Sequence, residues 1–178
     1  MIWYARKAGG RMKLRDMTRC GVLAAVLAVC AWLSVPLGDQ AVSMQSFGVF
    51  LALGLLGGRS GTVTVLVYLL LGAAGAPVFS GFRGGISVLL GPTGGYLWGF
   101  LAGSILYWAL EKRLHIALNM SLAMALCYTF GTVWYYYMYS TGTIWPVMMI
   151  CVVPYLLPDA LKILLALTLS RRLKRLVR

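Results

Sequence analysis

A chain of 178 residues in which 61% are hydrophobic and only 11% are charged has too little polar surface to cover a soluble globule of that size. This composition excludes an ordinary water-soluble domain and indicates a protein embedded in a lipid bilayer. The net charge of +12 does not by itself indicate nucleic-acid binding, because basic runs beside apolar segments are typical of the cytoplasmic flanks of membrane helices.

The N-terminal residues 1–17 form a basic segment that we predict to be cytoplasmic. The apolar run that follows, residues 21–33, has the general form of a secretory signal, but no clear small-x-small cleavage site comes before Gly38. We therefore expect this run to be retained as the first membrane helix. Met12 is a plausible start of translation, in which case residues 1–11 are an upstream extension.

Six segments that carry little or no charge are candidates for transmembrane helices, since about 20 mainly apolar residues span the hydrocarbon core. They form one predicted membrane domain, residues 18–172, followed by a basic cytoplasmic tail, residues 173–178. The second and third candidates are short and rich in glycine, so a re-entrant hairpin between residues 45 and 76, which leaves four spans, stays open as an alternative. The six segments are residues 20–36, 41–57, 60–76, 93–110, 115–139 and 143–170.

The distribution of basic residues indicates the orientation of these spans. If six helices cross the membrane and both termini are cytoplasmic, all of the 16 lysines and arginines except Arg83 and Lys162 fall towards the cytoplasm. This agrees with the excess of basic residues in cytoplasmic loops of membrane proteins. The predicted class is therefore an all-α integral membrane protein with six spans, and the two outer cations require an explanation of their own.

Residues 75–96, between the third and fourth spans, are rich in glycine and proline, which predicts a loop. Long loops in compact proteins tend to carry function. Arg83 is the only cation in any predicted outer loop, which favours a ligand contact over a solvated arginine. Nearby aromatic residues are candidates for the walls of a pocket or for an interfacial belt: Phe79, Phe82, Tyr96, Trp98 and Tyr155.

The sequence Pro158-Asp159-Ala160-Leu161-Lys162 predicts the entry to the sixth helix, with Pro158 at or near its first position and the helix starting at Asp159. A spacing of three residues puts Asp159 and Lys162 on one helix face. A charge inside a membrane segment costs about 2.5 to 3.5 kcal/mol, so such residues face a polar cavity or each other. Two interpretations remain open: a polar site open to the outside, or a pair that neutralises itself or a lysine that snorkels to the interface.

Polar residues from separate stretches of sequence converge in the predicted topology. Gln45 follows the first helix and falls on the same membrane face as Arg83, Asp159 and Lys162. Arginine and lysine suit a carboxylate, whereas an aspartate accepts hydrogen bonds from N–H donors at the other end of a small molecule. The sequence therefore predicts a small-molecule site at the outer face.

Other classes of function are less well supported. The four cysteines show no C-x-x-C spacing and the only histidine is His115, so we predict no metal site. An intramembrane enzyme, which stays an alternative of a different class, needs a base or nucleophile with a tuned partner, and His115 falls on the cytoplasmic side. A channel would need rings of charge or repeated pore-lining polar residues, and the sequence has neither.

Four short motifs resemble the BioY family in their order and spacing, and the resemblance covers residues 18–172. It implies the biotin-specific, substrate-binding S component of an energy-coupling-factor (ECF) transporter, with a six-helix bundle and a high-affinity site for biotin near the extracellular face. The implied location is the cell membrane of a prokaryote, and an S component for another vitamin is the nearest alternative. The motifs are Met44-Gln45-Ser46-Phe47-Gly48, Gly75-Ala76-Pro77-Val78-Phe79, Leu89-Leu90-Gly91-Pro92-Thr93-Gly94-Gly95-Tyr96 and Pro158-Asp159-Ala160-Leu161-Lys162.

The resemblance also implies partners and residue roles. An S component docks on a transmembrane coupling protein driven by two ATPase subunits and needs no cofactor, its ligand being biotin. Arg83 and Lys162 match positions expected to contact the biotin carboxylate, and Asp159 a position expected to contact the ureido N–H groups. The full set of implied biotin-binding residues is Gln45, Phe79, Arg83, Gly94, Tyr96, Tyr155, Asp159 and Lys162.

Energy coupling is expected to come from the partners, because neither glycine-rich segment of this chain has the G-x-x-x-x-G-K-[ST] pattern of a nucleotide-binding loop. Ala24 and Ala28 form a small-xxx-small pair that allows close helix approach and are the predicted docking residues for the coupling module. Ordinary packing within the chain is the open alternative. Residues 79–82 are bulkier than the stretch expected in the family, which leaves the detailed loop contacts open.

Overall fold

The computed structural model describes residues 14–37, 40–139 and 144–176. Within these ranges the chain forms eight α-helices and one two-stranded antiparallel sheet. In chain order these are α1 (Leu14–Trp32), β1 (Ser34–Leu37), β2 (Gln40–Ser43), α2 (Gln45–Leu56), α3 (Gly58–Ala73), α4 (Ile86–Leu90), α5 (Gly94–Leu110), α6 (Ile116–Tyr139), α7 (Ile144–Cys151) and α8 (Val153–Leu176).

The exterior of the helical bundle is apolar. Large side chains such as Leu70, Trp108 and Leu164 are exposed on outward helix faces, while Phe50 and Met120 are buried between helices. Two stretches of the described residues are long and apolar enough to cross a membrane by themselves: Ile116–Met138 in α6, and Val147–Arg175, which includes the turn between α7 and α8. Helices α2 and α3 are apolar but shorter. This pattern suits a lipid environment, in which helices satisfy their own backbone groups.

The end of the first span differs from the prediction. Helix α1 stops at Trp32, and the chain then forms a hairpin in which Ser34 pairs with Ser43 and Pro36 pairs with Ala41. The second helix consequently begins at Gln45 and not at residue 41. The predicted boundaries were wrong because residues 34–43 are apolar enough to extend either helix, whereas Pro36 has no N–H for a helical hydrogen bond.

Helices α2 and α3 form a hairpin that runs the length of the bundle. They are joined at Gly57, whose φ of 83° is accessible to glycine at little cost. The Gly58 N–H donates to Oε1 of Glu111 at 2.9 Å, which places this turn beside the end of α5. The other end of the hairpin, at Gln45 and Ala73, lies beside the predicted outer loop. This geometry favours two crossing helices over a re-entrant hairpin, and the count of six spans stays a prediction.

The last predicted span is two helices, and its proline is not at the start. Helix α8 begins at Val153, so Pro158 lies inside it, contrary to the prediction that the helix starts at Asp159. The proline removes only the hydrogen bond to the carbonyl of residue 154, a loss that a membrane helix tolerates near its end. The helical face that carries Asp159 and Lys162 is unaffected.

The terminal regions extend the helices beyond the predicted domain boundaries. Helix α1 already includes residues 14–17, and α8 continues to Leu176. The remainder of the predicted cytoplasmic segment, residues 1–13, and the last two residues of the predicted tail lie outside the described residues.

Candidate ligand-binding site

A cavity opens at the end of the bundle that carries the β-hairpin and the loop before α4. Its water-accessible volume is about 90 Å³, within about 720 Å³ of space between atoms that includes the open mouth. Of the eight residues predicted for the site from the sequence, only Gly94 is absent from its lining. The structure therefore brings together Gln45, Phe79, Arg83, Tyr96, Tyr155, Asp159 and Lys162.

Asp159 accepts three hydrogen bonds from side chains that line the cavity. Its Oδ1 accepts hydrogen bonds from Ser46 Oγ at 2.8 Å and from Lys162 Nζ at 2.8 Å. Its Oδ2 accepts a bond from the Tyr128 hydroxyl at 2.6 Å. These contacts join α2, α6 and α8 at one carboxylate. A buried charge is tolerated when it is paired and hydrogen-bonded, and Asp159, 5% exposed, meets both conditions.

The ammonium group of Lys162 donates three hydrogen bonds. Besides Asp159, its ammonium donates to the backbone oxygen of Ser43 at 2.7 Å and to Ser46 Oγ at 3.3 Å. An ammonium group has three N–H donors, and these three bonds use all of them. Lys162 therefore contacts a ligand only by giving up one of these partners, which makes Arg83 the better placed of the two predicted carboxylate contacts.

Gln45 presents a donor to the cavity. The residue is the first of α2 and is only 5% exposed. Its Oε1 accepts a hydrogen bond of 3.4 Å from Ser80 Oγ, whereas its Nε2, which lies near the Tyr68 hydroxyl, has no well-aligned hydrogen-bond partner among the described residues. A buried amide N–H without a partner is costly, so an acceptor on a bound ligand would stabilise this arrangement.

Arg83 lies at the mouth of the cavity, in the loop that precedes α4. Its Nε donates to the Ser80 backbone oxygen at 3.1 Å, and it forms no ion pair with a carboxylate in the described part of the chain. The loop is closed by a hydrogen bond from Phe79 N to Arg83 O at 2.9 Å. Because the side chain is exposed at the opening, its terminal N–H groups can meet an anionic group that enters from outside.

The aromatic predictions separate into two groups. Phe79 is buried, packs edge-on against Tyr68 with a centroid distance of 5.5 Å, and lines the cavity with Tyr96 and Tyr155. Phe82 and Trp98 are not in the lining. Phe82 is 64% exposed, and for these two residues the structure favours the interfacial belt over a cavity wall.

Gly94 has a structural role in the described geometry. An added Cβ would overlap the backbone carbonyl of Leu89, so the absence of a side chain lets α5 begin directly against α4. The position shapes the turn beside the cavity without lining it. The assignment of Gly94 as a direct ligand contact stays a prediction.

Ala24 and Ala28 are buried in the protein core, 2% and 6% exposed. They pack with residues of α2 and α3, including Val49, Leu53 and Val65, in one cluster. The small side chains thus allow close helix packing within the chain, and in this conformation they present almost no surface to a partner. The structure favours the alternative of intramolecular packing.

Sequence reasoning missed ten of the 17 residues that line the cavity, among them Ser46, Tyr128 and Cys127. Ser46 belongs to a motif that was noted for its neighbour Gln45, and a hydroxyl one residue away was a usable signal. Tyr128 had no such signal, because α6 contains several tyrosines and its register against α8 is visible only in the structure.

The sequence profile of the BioY family matches residues 5–178 of this chain. The chain belongs to the BioY family. The biotin transporter BioY of Thermotoga maritima is 38% identical over 168 residues, which cover 92% of this chain and 98% of the relative. The probable biotin transporter BioY of Pyrococcus horikoshii is 30% identical over 163 residues, with 92% and 98% covered.

The BioY fold assignment is also supported by a solved structure. A 2.1 Å crystal structure, described as the S-component for biotin from an ECF-type ABC transporter, superposes with a TM-score of 0.83 and covers 95% of each chain at 24% identity. The family and the S-component-like helical fold predicted from the sequence motifs are therefore confirmed.

Proposed function

We propose that this protein is a biotin-binding S component, which captures biotin at the outer face of a prokaryotic cell membrane and delivers it inward with an ECF coupling module. It is a transporter subunit and not an enzyme, as the names of its BioY relatives indicate. The observation that carries the proposal is the buried Asp159–Lys162 ion pair inside a cavity that opens at the end of the bundle carrying the β-hairpin and the loop before α4.

The polar groups of the cavity match the two ends of biotin. An ionised carboxylate offers about four acceptor positions, of which Asp159 uses three within the chain, so at least one is left for a ureido N–H. The unpartnered Gln45 Nε2 suits the ureido oxygen. Both groups lie among buried side chains.

The opposite end of biotin is a carboxylate, for which Arg83 at the cavity mouth is the best partner. A guanidinium binds a carboxylate through two parallel hydrogen bonds, and the Arg83 Nε alone is engaged by the loop. Phe79 and Tyr96 flank the region between the two ends and suit the apolar middle of the molecule. This orientation places the charged end of biotin nearest to water.

Transport requires partners that supply energy. We infer a transmembrane coupling protein and two ATPase subunits, since this chain lacks a nucleotide-binding loop pattern and the S-component fold belongs to multi-subunit transporters. The outer exposed side chains of α1, such as Val22 and Val29, are better placed for docking than the buried Ala24 and Ala28.

The test is equilibrium binding of labelled biotin to the purified full-length protein, with Asp159→Asn and Lys162→Ala beside the parent. We expect each variant to bind at least about 100-fold more weakly, the effect of losing hydrogen bonds to a buried charge. Thr168→Ala, which alters an exposed side chain of the same helix, is the matched control and should bind as the parent does.

Two outcomes would contradict the proposal. A folded parent that fails to bind biotin would remove biotin as the ligand, and thiamine and riboflavin would then be tested as the alternative vitamins. A folded Asp159→Asn variant with the affinity of the parent would show that the ion pair is only structural. The double variant Asp159→Asn with Lys162→Met removes both charges and therefore leaves no unpaired charge in the interior. If this variant folds but does not bind biotin, the loss is one of binding and not of folding.

A further inference from the structure

Trp32, the last residue of α1, connects this helix to the loop that carries Arg83. Its indole ring stacks on Phe82, with a centroid distance of 5.0 Å and an interplanar angle of 23°. Its Nε1 donates a hydrogen bond of 2.8 Å to the backbone oxygen of Pro77. Trp32 itself does not line the cavity, so these contacts act on the loop and not on the ligand.

The loop is held in a conformation that it would not keep without support. Among the described residues, Phe82 is the only non-glycine residue with positive φ, at 57°, and the preceding Gly81 has a φ of 71°. An L side chain rarely adopts this region. The Phe82 ring is largely exposed, so its stacking on Trp32 is the contact that compensates for the strained backbone.

The same loop carries cavity residues on its inner side. Phe79 is buried against Tyr68, and Ser80 donates to Gln45 Oε1. The loop is thus fixed between an inner contact through Phe79 and an outer contact through Trp32. If Phe82 moved away from Trp32, Ser80 and Arg83 would move away from the cavity mouth with it, because Arg83 directly follows Phe82.

We propose that Trp32 is a positioning residue that keeps the loop of residues 77–83 closed over the ligand, and that separation of Trp32 from Phe82 and Pro77 opens the cavity to the outside. This rests on the proposed function, since biotin is the ligand that the loop would retain. Trp32 makes no ligand contact, so it controls how long a ligand stays bound more than how the ligand is recognised.

The proposal predicts a change in dissociation rate. Trp32→Ala removes one aromatic pair and one hydrogen bond, which together correspond to an increase of about tenfold to 100-fold in the rate at which labelled biotin leaves the purified protein. Trp32→Phe keeps a ring for stacking but has no N–H, and its rate should lie between those of Trp32→Ala and the parent. Association should change much less than dissociation.

A double-mutant cycle shows whether Trp32 acts through its contact with Phe82 or only as general structural support. Phe82→Ala should increase the dissociation rate, and adding Trp32→Ala to it should add less than the single change does, because the two rings act on each other. Trp108→Ala, an exposed tryptophan at the opposite end of α5, is the control and should leave the rate unchanged.

The outcomes separate this proposal from the proposed function. If the parent does not bind biotin, the proposed function fails. If the parent binds biotin and a folded Trp32→Ala variant releases it at the parent's rate, the positioning role of Trp32 is wrong while the binding function stands. Additive effects of Trp32→Ala and Phe82→Ala on the dissociation rate would also contradict the positioning role, because they would show that the two rings do not act together.

Discussion

The Tyr128 hydroxyl is the sole protein donor to Oδ2 of Asp159 among the described contacts, whereas Oδ1 is bonded by both Ser46 and Lys162. The carboxylate is therefore fixed in one orientation by donors on three helices before any ligand arrives. Such preorganisation reduces the entropy lost on binding. The position of a single phenol oxygen thus bears on affinity, although Tyr128 has no charge.

Tyr128→Phe isolates this effect, because it removes one oxygen and keeps the ring. Hydrogen bonds to charged groups contribute about 1.5–3 kcal/mol, so biotin affinity should fall by about tenfold or more while the protein stays folded. The measurement is equilibrium binding, with Tyr137→Phe as control, since Tyr137 is a highly exposed tyrosine on the same helix. Equal affinities of the parent and Tyr128→Phe would show that Asp159 does not depend on this bond.

At the scale of elements, the packing of α5 against α6 fixes the register that brings Tyr128 to the cavity. Gly95, Gly99 and Gly103 recur every four residues on the face of α5 that contacts α6. An added Cβ at Gly99 would lie 2.9 Å from the Cα of Cys127, and one at Gly103 would lie 2.6 Å from the Ala123 oxygen. The helices therefore touch backbone to backbone, as small-xxx-small motifs allow.

Gly99→Ala should force the two helices apart next to Tyr128. We expect a loss of about 1–3 kcal/mol in the free energy of unfolding, the usual cost of overpacking, together with weaker biotin binding. Thermal unfolding in detergent tests this, and Gly21→Ala is the matched control because an added Cβ there has no atom within 4 Å. The control should be neutral or slightly stabilising. Equal unfolding temperatures for Gly99→Ala and the parent would contradict the packing argument.

At the scale of the whole molecule, the sequence predicted the helical bundle because membrane spans depend on hydrophobicity over about 20 residues. It did not predict the hairpin at residues 34–43 or the break between α7 and α8, since the residues there are as apolar as the helices around them. The GxxxG spacing of Gly95, Gly99 and Gly103 was present in the sequence and was not interpreted.

The candidate site was predictable to the extent that charges are rare in membrane segments. Asp159, Lys162 and Arg83 stand out against an apolar background, and topology alone placed them on one face. Which donors hold Asp159 depends on how the helices are rotated against each other, which hydrophobicity does not encode. For the same reason, the burial of Ala24 and Ala28 could not be separated from an exposed docking surface before the structure was known.

The orientation and span number make one prediction about the whole chain. Single cysteines are introduced as Ser87→Cys beside the cavity, Arg59→Cys at the α2–α3 turn and Lys112→Cys after α5, in a chain with Cys151→Ser. Cys20, Cys30 and Cys127 are buried and remain in place, and the chain with Cys151→Ser alone is the reference for any labelling of Cys127, which lines the cavity. With six spans and cytoplasmic termini, a membrane-impermeant thiol reagent should label only Ser87→Cys in intact cells and should label the other two after permeabilisation.

Arg59→Cys decides between the two topologies, because the turn that carries it lies beside Glu111 at the far end of the bundle. In a six-span protein this cysteine reacts from the cytoplasm together with Lys112→Cys. In a re-entrant hairpin that enters from outside, the turn stays within the membrane and reacts from neither side while Lys112→Cys is labelled. Labelling of Lys112→Cys in intact cells would reverse the orientation and place the cavity on the cytoplasmic side, against the capture of an external ligand.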